Sequence, residues 1–210
     1  MTAPGRRGRP GYDVSRLLAG AVEVFIERGY DGTSMEDLAG RLGISKSAIY
    51  HHVPGKGELL RLSVDRALDA LFAVLAEPGA TTGPATDRLE HVVRGSVRVL
   101  VAELPFVTLL LRVRGNTEVE RRALARRREF DARVTDLVRR AEAEGGLRPD
   151  VDPALTARLL FGTVNSLAEW YRPDRGLTAD DLADGVVAVV FDGLRREPAP
   201  ARAAPRAAAG

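Results

Sequence analysis

Residues 32–60 read GTSMEDLAGRLGISKSAIYHHVPGKGELL, and their spacing predicts two short helices, a tight turn between them and the start of a longer helix. Thr33 is placed as an N-cap, with Glu36 three residues on completing a capping box. Met35, Leu38, Ala39 and Leu42 then recur at helical spacing. Gly43 stands where the helix must stop, because glycine accepts a positive φ without a steric penalty. Ser45 caps the second helix, which carries Lys46, Ser47, Ala48, Ile49, Tyr50, His51 and His52. Ile49 is the aliphatic residue of this polar segment, so it is assigned to the core, and Lys46, Ser47, Ala48, Tyr50 and His51 face outward. A helix this short buries little and presents much. That is the layout of a helix-turn-helix, whose second helix enters the major groove of DNA.

Outward from this stretch, the chain reads as helical throughout, with no strand pattern and no internal repeat. Residues 1–12 are rich in Gly, Pro and Arg and are expected to be disordered without DNA. Asp13 is placed as the cap of a first helix with the stripe Leu17, Leu18, Ala21, Val22 and Phe25, ended by Gly29. A fourth helix from about Gly55 to Ala76 carries Leu60, Val64, Leu68, Leu71 and Leu75, and is long enough to join two domains. Residues 78–84 read as a loop, followed by a fifth helix with Leu89, Val93, Val97, Leu100 and Leu104 inward. Pro105 is expected to break the chain before a short apolar helix from Phe106 to Val113. Thr117 with Glu120 opens a seventh helix, Asp152-Pro153 an eighth, and Thr178 with Asp181 a ninth ending near Arg196. The fold class is therefore all-α with about nine helices, divided into a basic arm (1–12), a three-helix head (13–54), a connector and larger bundle (55–196) and a disordered tail (197–210).

Composition narrows the functions available. The chain of 210 residues can bury a real core. It contains no cysteine, so disulfides and thiolate metal sites are excluded. No apolar run reaches the ~18 residues a membrane span needs, and no signal-peptide pattern is present, so a soluble cytoplasmic protein is expected. The formal net charge of +2 is too small for a non-specific nucleic-acid coat but allows a locally basic site. Both lysines, Lys46 and Lys56, fall in the quoted region. There is no Gly-rich phosphate loop and no nucleophile–histidine pattern, so no enzyme activity and no cofactor are expected.

The segment resembles the TetR family of bacterial transcription regulators. The residues that carry the likeness are Gly29-Tyr30, Thr33-Ser34, Leu38-Ala39, Leu42-Gly43-Ile44-Ser45, Ile49-Tyr50-His51-His52-Val53, and Lys56 with Glu58-Leu59-Leu60. The resemblance implies a DNA-binding head, an effector-binding and dimerising body, and action as a homodimer on double-stranded operator DNA, most often as a repressor. By position, Ser45, Lys46, Ser47, Ala48, Tyr50 and His51 match residues that touch bases or nearby phosphates in the family. Tyr50 can donate its hydroxyl to a phosphate, and Ala48 can meet a thymine methyl. Thr33, Ser34 and Lys56 suit phosphate contacts that position the head without reading sequence. His51 and His52 point about 100° apart on a helix, which disfavours a metal pair; His52 suits a phosphate or a bond to the connector. Arg7-Gly8-Arg9-Pro10 resembles the core of an AT-hook, in which Arg7 and Arg9 follow a narrow minor groove. The same composition also suits a solubilising tail.

Two features of the body point to partners. The eighth and ninth helices are apolar nearly all round, which predicts one side on the core and one on a second copy. The family uses these helices for a four-helix interface, and Leu155, Leu159, Gly162, Val187 and Phe191 are placed there. The alternative is a hairpin buried within a monomer. Residues 112–140 hold ten arginines against five acids, beside the apolar candidates Leu104, Phe106, Leu110, Phe130, Phe161 and Trp170. Most of those charges fit a solvated helix face with i,i+4 pairs. They also fit an anionic effector, with Arg112 and Arg114 at the mouth of its cavity. Asn165 to Pro173 resembles the Asn-x4-Trp-Tyr-x-Pro signature of TetR-type regulators that answer to acyl-CoA thioesters. Two other readings compete: an efflux regulator binding lipophilic cations, and a helical scaffold binding DNA by charge alone.

Overall fold

A computed structural model of the chain describes residues 14–194, and these form ten α-helices, one turn of 3-10 helix at Pro173–Arg175 and no β-strand. Asp13, the arm with Arg7 and Arg9, and the tail lie outside the described residues. The head is α1 (Val14–Arg28), α2 (Met35–Leu42) and α3 (Lys46–Tyr50). The expected α1 stripe is its buried face: Leu17, Leu18, Ala21, Val22 and Phe25 meet Leu38 of α2 and Ile49 of α3 in one core.

The entry to α2 differs by one residue from the sequence expectation. Ser34, not Thr33, is the N-cap; it accepts from the Asp37 N–H, and Asp37 accepts from the Ser34 N–H at 2.8 Å. Thr33 turns inward instead, and its hydroxyl donates to the Gly29 carbonyl at 2.7 Å. Thr33-x-x-Glu36 and Ser34-x-x-Asp37 both satisfy the pattern; the register that buries Met35 and Leu38 decides between them. Gly43 ends α2 at φ 65°, in the left-handed region, and lets the Ile44 N–H reach the Ala39 carbonyl.

The connector α4 (Lys56–Ala76) runs from the head into the body, where Leu59, Leu60, Val64, Ala67 and Leu68 are buried. The expected loop at 78–84 holds a helical turn, α5 (Pro78–Thr81), with proline at its start, so ten helices form rather than nine. The next helix, α6 (Ala85–Ala102), is followed by α7 (Leu104–Arg112) with one residue between them. Pro105 therefore opens α7 near its first position, where the missing N–H costs no helical bond. The body is completed by α8 (Glu118–Ala143), α9 (Pro153–Trp170) and α10 (Ala179–Leu194). The capping boxes at Thr117–Glu120 and Thr178–Asp181 form as expected.

Aromatic rings join three of these helices. Phe130 of α8 stands edge-on to Phe72 of α4 at 6.0 Å and to Phe161 of α9 at 5.2 Å. Arginine pairs add lateral ties: Arg126 of α8 meets Asp65 and Asp69 of α4, and Arg94 and Arg98 of α6 meet Asp184 and Asp180 of α10. No described helix is long and apolar enough to cross a membrane.

Candidate nucleic-acid interface and effector cavity

The expected recognition surface is α3 and its flanks. Ile49 is fully buried, and this anchors the helix so that Lys46, Ser47, Tyr50, His51 and His52 are exposed. Ala48 is half-buried rather than fully outward. Ser45 caps the helix, its hydroxyl accepting from the Ala48 N–H at 3.2 Å and lying 2.9 Å from that of Ser47. The Lys46 ammonium is ion-paired with Glu36 of α2. That hydrogen bond raises the lysine pKa and lowers that of the glutamate, so both stay charged.

Of the expected phosphate contacts, Ser34 and Lys56 border one open depression together with Tyr50 and Gly55. Thr33 borders it too, with its side chain buried and its hydroxyl already bonded to the Gly29 carbonyl. Lys56 is half-buried. It donates to the Tyr30 and Thr33 carbonyls, both at 2.9 Å, and sits 4.4 Å from the Tyr30 ring centre. Two of its three donors thus hold the α1–α2 loop against the base of α4, leaving one for a phosphate.

The body holds two neighbouring chambers that share lining residues. The inner one, about 40 Å³, lies among α4, α6, α7, α8 and α9 and is lined by Leu68, Leu71, Leu100, Val107, Leu110, Phe130 and Phe161, with Ser96 as a polar residue in the apolar wall. The outer one, about 310 Å³, is more polar and lies between α8 and α9, with Thr135, Arg158 and Gly162. Arg127, Asp131, Phe161 and Asn165 line both and form the junction. Desolvation there pushes the Asp131 carboxyl above the usual aspartate range, against the pull of Arg127 and Arg158.

Leu110, Phe130, Phe161 and Asn165 are therefore at the cavity, whereas the other expected effector residues are elsewhere. Phe106 is buried beneath Arg66, whose guanidinium lies 4.3 Å from the ring centre. Leu104 is half-buried at the start of α7 and borders neither chamber. Trp170, 51% exposed, closes α9 on the outer surface of the body. Arg112 and Arg114 line a different cleft, between α1 and α7, where Arg112 donates to the Ile26 carbonyl at 2.8 Å. The C-terminus of α7 points toward the head, so its arginines leave the cavity. Sequence reasoning missed Ser96, Arg127, Asp131 and Arg158. One signal was available: Ser96 falls four residues before Leu100 and three after Val93, a polar residue on the apolar face of α6.

The outer faces of α9 and α10 remain uncovered in the protomer. Leu155, Leu159 (60% exposed), Gly162, Ser166 and Trp170 share one face of α9. Gly185, Ala188 and Val189 (77% exposed) share one of α10. Val187 and Phe191 were placed at the same interface but are buried in the protomer's own core. The difference is rotational: hydrophobicity alone does not tell which side of an apolar helix faces out, and the more exposed Val189 lies on the other side.

A helix-turn-helix head joined by a long helix to an all-α body with an internal cavity defines a ligand-responsive transcription regulator. Residues 17–62 match the model for bacterial regulatory proteins of the tetR family, and residues 82–194 match a tetracyclin repressor-like C-terminal domain. The chain belongs to the TetR family. It is similar to SCO3833, a TetR-family member from Streptomyces coelicolor A3, with 60% identity, TM-score 0.81 and coverage of 86% of this chain and 91% of that one. It is 28% identical to the transcriptional repressor KstR2 of Mycobacterium tuberculosis H37Rv over 189 residues, 86% of this chain and 92% of the relative. The solved structure of AibR in complex with isovaleryl coenzyme A and operator DNA is 25% identical, with TM-score 0.70 and coverage of 84% and 97%.

Proposed function

We propose that this regulator is a homodimeric repressor that grips a palindromic operator through its two heads and releases it when an acyl-CoA thioester enters the body. The division into arm, head, effector-binding body and tail belongs to this reading. The observation that carries it is the pair of chambers: an apolar interior suited to an acyl group, beside a polar groove with Arg127 and Arg158, with Arg127, Asp131, Phe161 and Asn165 lining both. Guanidinium groups bind phosphate through paired hydrogen bonds, and coenzyme A presents phosphates outside whatever pocket takes its acyl end. Arg127 and Arg158 replace Arg112 and Arg114 in that role. AibR, whose complex contains both a short acyl-CoA and operator DNA, supports the same class of effector.

Release requires the effector to bind the DNA-incompetent conformation more tightly; a hundredfold preference corresponds to ~2.7 kcal/mol of coupling. One observation favours a second reading. Asp131 at the junction would suit a lipophilic cation. The two flanking arginines outweigh its single charge, so the anionic effector is preferred. The test is titration of acyl-CoA esters, free acids and cationic dyes into the operator complex, followed by fluorescence anisotropy. Release by CoA esters is expected. Release by dyes or free acids with CoA esters inert rejects the reading.

A further inference from the structure

Ser96 sits in the middle of α6, is 1% exposed and lines the inner chamber. Its hydroxyl has no hydrogen-bond partner among the described residues. A hydroxyl on a helix usually satisfies itself on the carbonyl four residues back. Ser63, Thr108, Thr135 and Thr163 do so, at 2.7, 2.7, 2.8 and 3.1 Å. Ser96 does not, although the chamber it lines also holds Arg127, Asp131 and Asn165 among its mostly leucine, valine and phenylalanine side chains. Alanine would place only a methyl group there, with no buried polar atom. An unpaired hydroxyl in an apolar wall is destabilising until something in the chamber bonds to it.

The position of Ser96 says which part of a ligand that is. Asn165, Arg127 and Asp131 line both chambers, whereas Ser96 lines the inner one alone. A thioester joining an acyl group inside to coenzyme A outside would pass the junction, placing its carbonyl beside Asn165. Ser96 would then meet an atom further along the acyl group. We propose that Ser96 is a specificity-determining residue that hydrogen-bonds an oxygen substituent, a hydroxyl or a ketone, on the apolar part of the effector. The natural effector class is thus an oxygenated acyl compound rather than a plain fatty acyl one. This rests on the effector cavity proposed above but not on the coenzyme A portion. A chamber wall that hydrogen-bonds a substrate oxygen discriminates against the analogue lacking it, because the wall's own polar atom is then left unpaired.

The test uses ligand pairs that differ only in the oxygen: short acyl-CoA esters with their 3-hydroxy and ketone counterparts, and the same pairs as free acids. Affinities for the full-length wild type and for Ser96→Ala are measured by calorimetry. The oxygenated member of at least one pair is expected to bind wild type about fivefold to tenfold more tightly than its plain partner. Ser96→Ala should erase that preference while leaving the plain member unchanged or tighter. Its thermal midpoint without ligand should equal or exceed that of wild type. If no CoA ester binds but the free pairs show the Ser96-dependent preference, the coenzyme A reading fails and this one stands. If no pair distinguishes wild type from Ser96→Ala, the inference is overturned, whether or not CoA esters bind.

Discussion

The Lys46–Glu36 pair places a negative charge on the surface that must approach phosphate. Both side chains are largely exposed, so the pair contributes little to stability. If Lys46 contacts phosphate as the family resemblance implies, Glu36 would compete for the lysine and repel the DNA backbone. Glu36→Gln is expected to tighten operator binding severalfold and to steepen the salt dependence by up to about one counterion. Unchanged affinity and slope, measured by anisotropy across a salt series, would remove Lys46 from the phosphate contacts. Asp131 gives a second single-residue test. Folding raises its pKa, so the folded state holds that proton better than the unfolded one. The desolvation penalty is therefore absent below the ordinary aspartate range and present once pH exceeds the raised value. Asp131→Asn should raise the melting temperature at neutral pH and flatten stability against pH in that interval. It should also strengthen an anionic effector and weaken a cationic one, so the direction of the change in affinity separates the two effector readings.

Among the elements, α7 carries contacts in both directions. Val107, Leu110 and Leu111 line the inner chamber, and Arg112 at its end reaches the Ile26 carbonyl on α1. The connector α4 has the same double character, with Leu68 and Leu71 at the chamber and Lys56 holding the loop between α1 and α2. A ligand that displaces α7 would move the head through Arg112. Arg112→Ala is expected to leave effector binding to the free protein intact while reducing the factor by which effector weakens operator binding, by about fivefold. Effector titrations with and without operator measure that factor; an unchanged value would exclude the Arg112–Ile26 hydrogen bond from the coupling. The elements themselves were largely legible in the sequence because caps and stripes are local. Gly43, Ser45, Thr117 with Glu120, and Asp152-Pro153 marked their boundaries directly. The cavity was less legible, since its walls come from five helices and depend on how each is rotated. Phe106 and Phe130 look alike in the sequence, yet one lies under Arg66 and the other lines the chamber. Arg112 and Arg127 are the same residue type in the same arginine-rich stretch, yet one faces the head and the other lines the groove between α8 and α9.

For the whole molecule, the proposed two-headed grip assigns pairing of the protomers to the exposed faces of α9 and α10. Reading a palindromic operator needs a pair of heads at a fixed separation, so dimerisation is a condition of function in the proposed mechanism. A stable interface buries ~1,200–2,000 Å² in total and concentrates apolar groups at its centre. Leu155, Leu159 and Val189 supply apolar surface, while Gly162, Gly185 and Ala188 allow close helix approach. Leu159→Asp would bury an unpaired carboxylate in such an interface, at a cost of several kcal/mol. It is expected to yield a folded monomer with unchanged helical content and without operator binding at concentrations where the wild type is bound. Val187→Asp provides the contrast. Its side chain points into the protomer, so the same charge should lower the melting temperature of the fold itself rather than release intact monomers. Sedimentation and circular dichroism of the two variants separate these outcomes. A Leu159→Asp protein that still sediments as a dimer would place the interface elsewhere, and a monomeric wild type would reject the two-headed grip, because a lone head spans one half-site and cannot select the spacing between two.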